Sequence, residues 1–294
     1  CRHYDAFCVF DADNLVHLDF LAVMNTRLMK GQKVLQGYLS AKNPVDTWVS
    51  GTFAIAFWTV NHLWHLGKYN LGLSSCLGGT GMCISADIVR EFGWGCDCLT
   101  EDMEFSMKCL SHGIRTCWVH DAIIYDEKPL TFMASWRQRK RWAQGQFDCS
   151  ERYIPILMKE GFKRHSIVVL DGIMQLLQNY FLLISAFYLV MTYINMFYPC
   201  FTVVLYNDAL VPRQFWSVLG TIQYVLPLIV LLQIEVPAKI YLYWLIYPVF
   251  MYSWVPVTFL GWIHRHEKQW VHTIHTRSMQ FQAASLTRKK EIDS

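Results

Sequence analysis

The stretch Gln138-Arg139-Lys140-Arg141-Trp142 lies where a polar half of the chain gives way to an apolar half. On a helix, Gln138, Arg141 and Trp142 are spaced i, i+3 and i+4, so an amide, a guanidinium and an indole share one face. An arginine fork matches phosphate oxygens, and an indole offers a surface for a sugar ring. The alternative is a basic helix beside a membrane, with Arg and Lys at anionic head groups.

The helix that carries this stretch is expected to begin after Thr131, which follows Pro129 and is placed to cap it. No Gly or Pro then interrupts the pattern until Gly145. The sequence therefore predicts a helix that ends near Gly145.

The apolar half predicts membrane helices. The 294 residues are 53% hydrophobic and 15% aromatic, with a mean hydropathy of +0.21, which is high for a soluble protein. Residues 172–206, 214–234 and 240–263 contain no Asp, Glu, Lys or Arg. Roughly 20 apolar residues suffice to cross a hydrocarbon core. Membrane lipid is therefore an expected partner, whereas the net charge of +3 gives no indication of nucleic acid.

Charge divides this half further. Residues 151–171 mix basic and apolar side chains and predict an interfacial amphipathic helix, followed by transmembrane helices over 172–263. The tail, 264–294, holds six Lys or Arg, whereas the loops between the apolar segments hold only Arg213 and Lys239. The positive-inside bias places this tail in the cytosol, which requires an even number of crossings. One of the three apolar segments is then interfacial or re-entrant, unless the tail breaks the rule.

Ten cysteines show no regular spacing, and several lie in apolar contexts, which predicts reduced thiols and a cytosolic polar half. Cys96-Asp97-Cys98 lacks the two intervening residues of a common zinc pair. Histidines 264, 266, 272 and 275 are a second candidate metal set, although histidine is common near membrane ends.

The polar half opens with an apolar run, Ala6 to Phe10, that predicts an internal parallel strand. It ends in Asp11-Ala12-Asp13-Asn14, and two carboxylates beyond a strand end can share Mg²⁺ or Mn²⁺. A plain turn that uses Asp and Asn is the alternative. Since a sheet does not begin at its central strand, we expect an amino-terminal portion to be missing from this sequence.

Two further polar stretches follow. Gly78-Gly79-Thr80-Gly81 predicts a loop that lets the backbone approach a ligand, or else a simple tight turn. Thr100-Glu101-Asp102 precedes a predicted helix from Met103 to Leu110, with Thr100 as its N-cap. These acids either favour the helix dipole or place Asp102 as a general base for a hydroxyl nucleophile.

The intervening segments complete an α/β pattern. Residues 50–66 predict a buried amphipathic helix and not a membrane span, because they include Asn61, His62 and His65. Residues 83–92 predict a short strand that enters a helix at Ile88. Residues 116–119 and 122–125 predict two strands.

Taken in order, the Asp-Ala-Asp, Gly-Gly-Thr-Gly, Thr-Glu-Asp and Gln-Arg-Lys-Arg-Trp motifs ahead of apolar helices resemble the processive family 2 glycosyltransferases. This family includes the cellulose, hyaluronan, chitin and poly-N-acetylglucosamine synthases. The resemblance covers most of residues 6–150 and the membrane layout after them. It implies an α/β fold in which residues 1–150 are part of a nucleotide-sugar-binding domain of A type, followed by the interfacial helix and transmembrane helices.

The resemblance also implies roles for the motif residues. Asp11 and Asp13 would hold Mg²⁺ or Mn²⁺ on a nucleotide diphosphate, and Asp102 would be the catalytic base. The implied substrate-binding set is Arg139 and Arg141 towards the diphosphate, Gln138 and Trp142 towards the acceptor sugar, Gly79 and Thr80 at the acceptor site, and Glu101 beside the base.

The implied function is that of a membrane-bound inverting β-glycosyltransferase, which transfers a sugar from a UDP-sugar to a growing polysaccharide and exports the product. It would be a multi-pass plasma-membrane protein with a cytosolic catalytic domain. The alternatives are single transfer to a glycolipid acceptor and a non-catalytic transport or secretion subunit. Two features depart from the family: its uracil-binding strands and their Asp are absent, and the segment 270–277 only partly matches a gating motif.

Overall fold

The computed structural model describes residues 3–198 and 213–267, and its polar half is built on a five-stranded mixed sheet. The strands are Ala6–Val9 (β1), Leu15–Val16 (β2), Val34–Ala41 (β3), Met82–Ser85 (β4) and Thr116–Asp126 (β5). The helices are Phe20–Met29 (α1), Trp48–Thr59 (α2), Leu66–Asn70 (α3), Ala86–Phe92 (α4), Glu101–Ser111 (α5), Phe132–Arg164 (α6), Ile167–Phe197 (α7), Arg213–Gln233 (α8), Lys239–Tyr252 (α9) and Trp254–Ile263 (α10). The spatial order of the strands is β1-β4-β3-β5-β2. These α and β elements confirm a mixed sheet with helices, as a domain of A type requires.

The centre of the sheet is β3, whose eight residues are all buried. It pairs in parallel with β5 and antiparallel with β4. The prediction that β1 is an internal parallel strand is wrong for the described residues. It pairs antiparallel with β4 at the sheet edge, and Phe7, Cys8 and Val9 are exposed. A short apolar run has the same composition at either place, so periodicity cannot separate them.

The two strands predicted over 116–125 are one irregular strand. In β5 the register moves from Gly37 opposite Val119 to Tyr38 opposite Ile123, which is a bulge. A Cβ at Gly37 would stand 2.5 Å from the carbonyl oxygen of Ala122, so only glycine fits beside the bulge. The bulge joins the two predicted halves.

The helix predicted over 50–66 is confirmed and belongs to a longer unit. Thr47 and Ser50 form a capping box that begins α2, which continues through a π-helical turn at Val60–His65 into α3. The α4 helix begins at Ala86, two residues before the predicted Ile88.

The predicted start of α6 is confirmed and its predicted end is wrong. The backbone N–H of Ala134 donates to Oγ1 of Thr131 over 3.3 Å, which caps the helix. The helix then passes Gly145 and Pro155 and ends at Arg164. A Cβ at Gly145 would stand 2.6 Å from Oγ1 of Thr100, so this glycine serves close packing and not termination. The predicted boundary between residues 150 and 151 therefore falls inside a continuous helix.

By length and composition, Ile167–Ile194 and Lys239–Ile263 could each cross a membrane, and Val218–Gln233 is a shorter apolar helix. The second half of α7 leaves large apolar side chains exposed, among them Ile184, Phe187 and Tyr193. In contrast, α9 packs on α2, and α10 packs on α6. The segment 270–277 and the histidines at 272 and 275 lie outside the described residues.

Candidate active site

The acidic turn lies directly after β1. The backbone N–H of Asn14 donates to the carbonyl oxygen of Asp11 over 3.1 Å, which closes the turn. Asp11 is exposed, while the side chain of Asp13 is 27% exposed. The turn thereby exposes the carboxylate of Asp11, whereas Oδ2 of Asp13 is buried.

The buried side chain of Lys42 lies next to this turn and was not among the residues predicted from the sequence. Nζ of Lys42, at the end of β3, donates to the carbonyl oxygen of Asp13 over 2.8 Å and lies 3.8 Å from its Oδ2. It also lies 3.0 Å from Oε2 of Glu127, at the end of β5. Both side chains are almost fully buried, so the pair is screened little by solvent. The sequence could have indicated this ion pair, because Lys42 and Glu127 each directly follow a buried strand.

The Gly78–Gly81 loop crosses from this turn to the predicted base. Oγ1 of Thr80 accepts from the backbone N–H of Asp11 over 3.0 Å and from Nδ2 of Asn14 over 2.6 Å. Thr80 is only 4% exposed, so its hydroxyl serves the acidic turn instead of lining an open acceptor site. The sequence predicted the loop, but it did not predict the hydrogen bonds between Thr80 and the acidic turn.

Asp102 lies at the start of α5, beneath the same loop. A Cβ at Gly79 would stand 3.4 Å from its Oδ2, and Gly79 adopts φ +79°, which disfavours any other residue. Oδ1 accepts from the backbone N–H of Met103 over 2.7 Å. The pKa of Asp102 is raised to about 7, chiefly by burial and to a smaller extent by the charge of Glu101, against the lowering effects of the Met103 backbone N–H and the charge of Arg141. A carboxyl with such a pKa can accept a proton near neutral pH.

The residues flanking Asp102 have different surroundings from those predicted. Thr100 precedes α5, but its side chain makes no capping hydrogen bond, and its buried Oγ1 has no hydrogen-bond partner among the described residues. It packs against Gly145 of α6 instead. Glu101 is exposed beside the base. The contact between Thr100 and Gly145 sets how closely α6 approaches the base.

Two residues of the Gln-Arg-Lys-Arg-Trp stretch, Gln138 and Arg141, lie on one face of α6 and stay predicted binding residues. The charge of Arg141 lies near enough to Asp102 to lower its pKa. Oε1 of Gln138 is buried and has no hydrogen-bond partner in the described part of the chain. A buried amide oxygen without a partner is costly unless a ligand or water satisfies it.

Arg139 is placed differently from the prediction that it faces the diphosphate. It is fully buried, and its guanidinium carbon lies 4.4 Å from the ring centre of Phe250 and 5.1 Å from that of Trp254. Its Nη1 donates to Oγ of Ser253 over 2.8 Å. Burial lowers its pKa to about 10, which still leaves it charged at neutral pH. Arg139 therefore binds α6 to the junction of α9 and α10.

Trp142 is half-buried among aromatic rings from both halves of the chain. Its ring lies 6.1 Å from Phe53 of α2 and 6.5 Å from Trp254 of α10, the latter nearly parallel. Part of the predicted sugar platform therefore already packs against protein.

The acidic turn remains the predicted place for a hard divalent cation. Among residues 3–198 and 213–267, no group of three or more His, Cys, Asp or Glu could close around an ion. Asp11 and Asp13 would thus supply a minority of the ligands. Mg²⁺ and Mn²⁺ commonly bind in this way, with waters and substrate phosphates completing the set.

Comparison with known proteins decides the family. The profile described as glycosyl transferase family group 2 matches residues 6–262, which is most of the chain. The chain belongs to this family. The match extends from the acidic turn through the Gln-Arg-Lys-Arg-Trp stretch to the end of α10, so the family 2 domain includes the apolar helices as well as the sheet.

A relative agrees with this assignment. The chain is 26% identical over 144 residues to a probable glycosyltransferase, YdaM, of Bacillus subtilis (strain 168). The match covers 48% of this chain and 34% of the relative. The matched part of the chain thus spans about a third of that protein's length. The expectation of a family 2 glycosyltransferase is confirmed at the level of the family.

Proposed function

We propose that the protein is a membrane-bound, inverting glycosyltransferase that takes a UDP-sugar donor and extends a polysaccharide on the cytosolic side of the plasma membrane. The observation that carries the proposal is the junction of three motifs in one small volume. Thr80 bonds the acidic turn, Gly79 covers Asp102, and Arg141 adds a positive charge beside it. A nucleotide-sugar donor and an acceptor follow from membership of the family.

The residues suit a single displacement. Asp102 takes the proton from an acceptor hydroxyl, whose oxygen forms a bond to the anomeric carbon as the bond from that carbon to the UDP oxygen breaks. The electron pair leaves with UDP, and Arg141 stabilises the charge that develops there. One displacement inverts the carbon, so an α-linked donor gives a β-linked product.

A divalent cation held by Asp11 and Asp13 would neutralise charge on the diphosphate. Thr80 of the loop bonds the turn, and Gly79 of the same loop packs on Asp102, so the proposal places the cation and the base at two sides of one short loop.

The acceptor side favours a sugar over a lipid alone. The unsatisfied amide oxygen of Gln138 offers a hydrogen bond, and the aromatic rings around Trp142 offer a stacking surface. Trp142 lies where the sheet domain meets the apolar helices, and Gln138 precedes it by one helical turn. A growing polysaccharide end fits this position, and the single-transfer alternative would require neither group.

The test uses the full-length protein in membranes, with Mn²⁺ and a panel of labelled UDP-sugars, and measures the size of the product. We expect a glycanase-sensitive product of high molecular mass, absent from Asp102→Asn. A lipid-extractable product with one or two sugars would support single transfer. No transfer or donor hydrolysis with any donor would contradict the enzymatic proposal and favour a transport or secretion subunit.

A further inference from the structure

Gln36 is a buried polar residue in the centre of the sheet, and the assignments above give it no role. It lies in β3, opposite Met82 of β4 on one side and Trp118 of β5 on the other, and is 1% exposed. A glutamine at such a position is unfavourable unless both ends of its amide are hydrogen-bonded.

Both ends of the Gln36 amide are used by the Gly78–Gly81 loop. Oε1 accepts from the backbone N–H of Gly78 over 2.8 Å. Nε2 donates to the carbonyl oxygen of Thr80 over 2.9 Å, with weaker contacts to those of Gly37 at 3.0 Å and Gly81 at 3.4 Å. The amide therefore spans the loop from its first residue to its last and fixes the loop through main-chain atoms.

The same loop makes the two contacts on which the site depends. On one side, the hydroxyl of Thr80 accepts from Asp11 and Asn14 of the acidic turn. On the other, Gly79 packs over Oδ2 of Asp102. Gln36 contacts neither the acidic turn nor Asp102, but it fixes the loop whose Thr80 hydroxyl bonds the turn and whose Gly79 packs on Asp102.

We propose that Gln36 is a positioning residue for glycosyl transfer: it holds the Gly78–Gly81 loop so that the metal-binding turn and Asp102 keep the spacing that the reaction requires. This inference rests on the proposed function. A catalytic group displaced by about 1 Å loses on the order of 100-fold in rate, so a residue that fixes the loop controls turnover without contacting substrate.

The side chain must be glutamine for this arrangement. Leucine has similar bulk but leaves the N–H of Gly78 and the carbonyl of Thr80 without partners. Glutamate keeps the acceptor for Gly78, yet places an oxygen where Nε2 now donates to carbonyl oxygens. Both variants should free the loop, the second with almost no change in volume.

The first experiment is independent of activity. Amide hydrogen exchange of the full-length protein is compared for wild type and Gln36→Leu, over peptides that contain residues 78–81. We expect exchange there to accelerate by about tenfold or more, because the loop loses its buried hydrogen bonds. The matched control is Gln144→Leu, which removes another buried amide, one that donates to the carbonyl of His264 over 2.9 Å. Its loop should exchange as in wild type.

The second experiment measures turnover. Gln36→Leu should lower kcat by on the order of 10- to 100-fold and leave the KM for the donor within about threefold, since it displaces the base without removing a ligand. If Gln36→Leu does not fold, Gln36→Glu takes its place, with the same expected fall in kcat.

Unchanged exchange at residues 78–81, or an equal acceleration in Gln144→Leu, would overturn the positioning role whatever the activity. A wild-type protein that transfers no sugar would refute the proposed function, while the exchange comparison would still decide whether Gln36 holds the loop. Faster loop exchange with an undiminished kcat would show that the loop position does not control the reaction, and would also overturn the inference.

Discussion

Asp102 sets the pH range in which the protein can work. Its pKa is raised to about 7, chiefly by burial, so the carboxyl is protonated and unable to accept a proton below that pH. Transfer should therefore rise with pH through about 7. Three charged or titratable groups face Asp102: Glu101 on the same helix, Arg141 on α6, and Cys76, which precedes the loop.

The measurement is the pH dependence of kcat/KM between pH 5 and 9, for wild type and Arg141→Gln. Removal of the positive charge should move the acid limb to higher pH, because it favoured the charged carboxylate. Above pH 7, where the wild-type carboxyl is ionised, Asp102→Asn should lose on the order of 10²- to 10⁴-fold while it still binds UDP. An acid limb near pH 4 in wild type would contradict a buried base.

Arg139 and Arg141 are two residues apart, and we expect substitution of the first to lower stability and of the second to weaken UDP binding. Arg139→Met removes the contact with Ser253 and the guanidinium against Phe250 and Trp254, so it should lower the thermal midpoint by several degrees. The affinity for UDP should change little. Arg141→Met should weaken UDP binding without a comparable loss of stability. Equal losses of UDP affinity in the two variants would show that Arg139 also contacts the diphosphate.

The motif residues could be located from the sequence, but their neighbours could not. Spacing alone put Gln138 and Arg141 on one face, because helical geometry is local. The partners of Thr80 lie more than 60 residues away in the chain, and those of Arg139 more than 100. Such contacts arise from packing, which a single sequence does not display.

At the scale of elements, the contact between α5 and α6 depends on Gly145. Alanine is the better helix former by about 1 kcal/mol, yet a Cβ at Gly145 would lie 2.6 Å from Oγ1 and 2.7 Å from the backbone nitrogen of Thr100. The backbone cannot move aside as a flexible side chain could. Gly145→Ala should therefore destabilise the fold by roughly 1–3 kcal/mol and lower transfer, since α6 is pushed away from the helix of Asp102.

The matched control is Gly67→Ala, in α3, where a Cβ would meet no atom within 4 Å. That substitution should stabilise the fold slightly or leave it unchanged. Thermal denaturation and transfer rate check both variants. A Gly145→Ala protein as stable and active as wild type would mean that the two helices do not need this spacing.

The same position shows why the predicted end of α6 was wrong. A glycine late in a helical pattern resembles a terminator, and only the packed neighbour reveals that it makes room. The edge position of β1 is a similar case, because strand order depends on pairings between distant segments. Local signals with a direct physical cause, such as the cap at Thr131, were predicted correctly.

For the whole molecule, the apolar helices divide into two kinds. The second half of α7 and the first half of α8 leave apolar side chains such as Phe187, Tyr193 and Phe215 exposed. From Phe181 to Phe197, α7 extends about 25 Å at about 1.5 Å per residue, close to a hydrocarbon thickness. The first half of α7 is bound to the sheet domain, where Nζ of Lys68 lies 2.6 Å from Oδ2 of Asp171.

The segment 239–263 is held against the sheet domain and α6 at both of its ends. Nζ of Lys239 donates to the carbonyl of Val45 over 2.8 Å, and Tyr243 packs against Gly51 so closely that a Cβ there would overlap its ring. At the other end, Gly261 packs on Ala143 of α6. A helix pair held against α2 and α6 at both ends is fixed to the sheet domain, so we do not expect it to cross a bilayer on its own.

We therefore expect two crossings, one by α7 and a return crossing that ends at α8, whose second half packs on α2, with the segment 239–263 lying at the cytosolic interface. This arrangement returns the basic tail to the cytosol, in agreement with the positive-inside bias. In an otherwise cysteine-free full-length protein, a cysteine at Ser294 should react with a membrane-impermeant maleimide only after the membrane is opened. One at Asn207, outside the described residues and between the two crossings, should react in intact cells. Reaction of both from outside would mean that the segment 239–263 leaves α2 and α6 to make a third crossing.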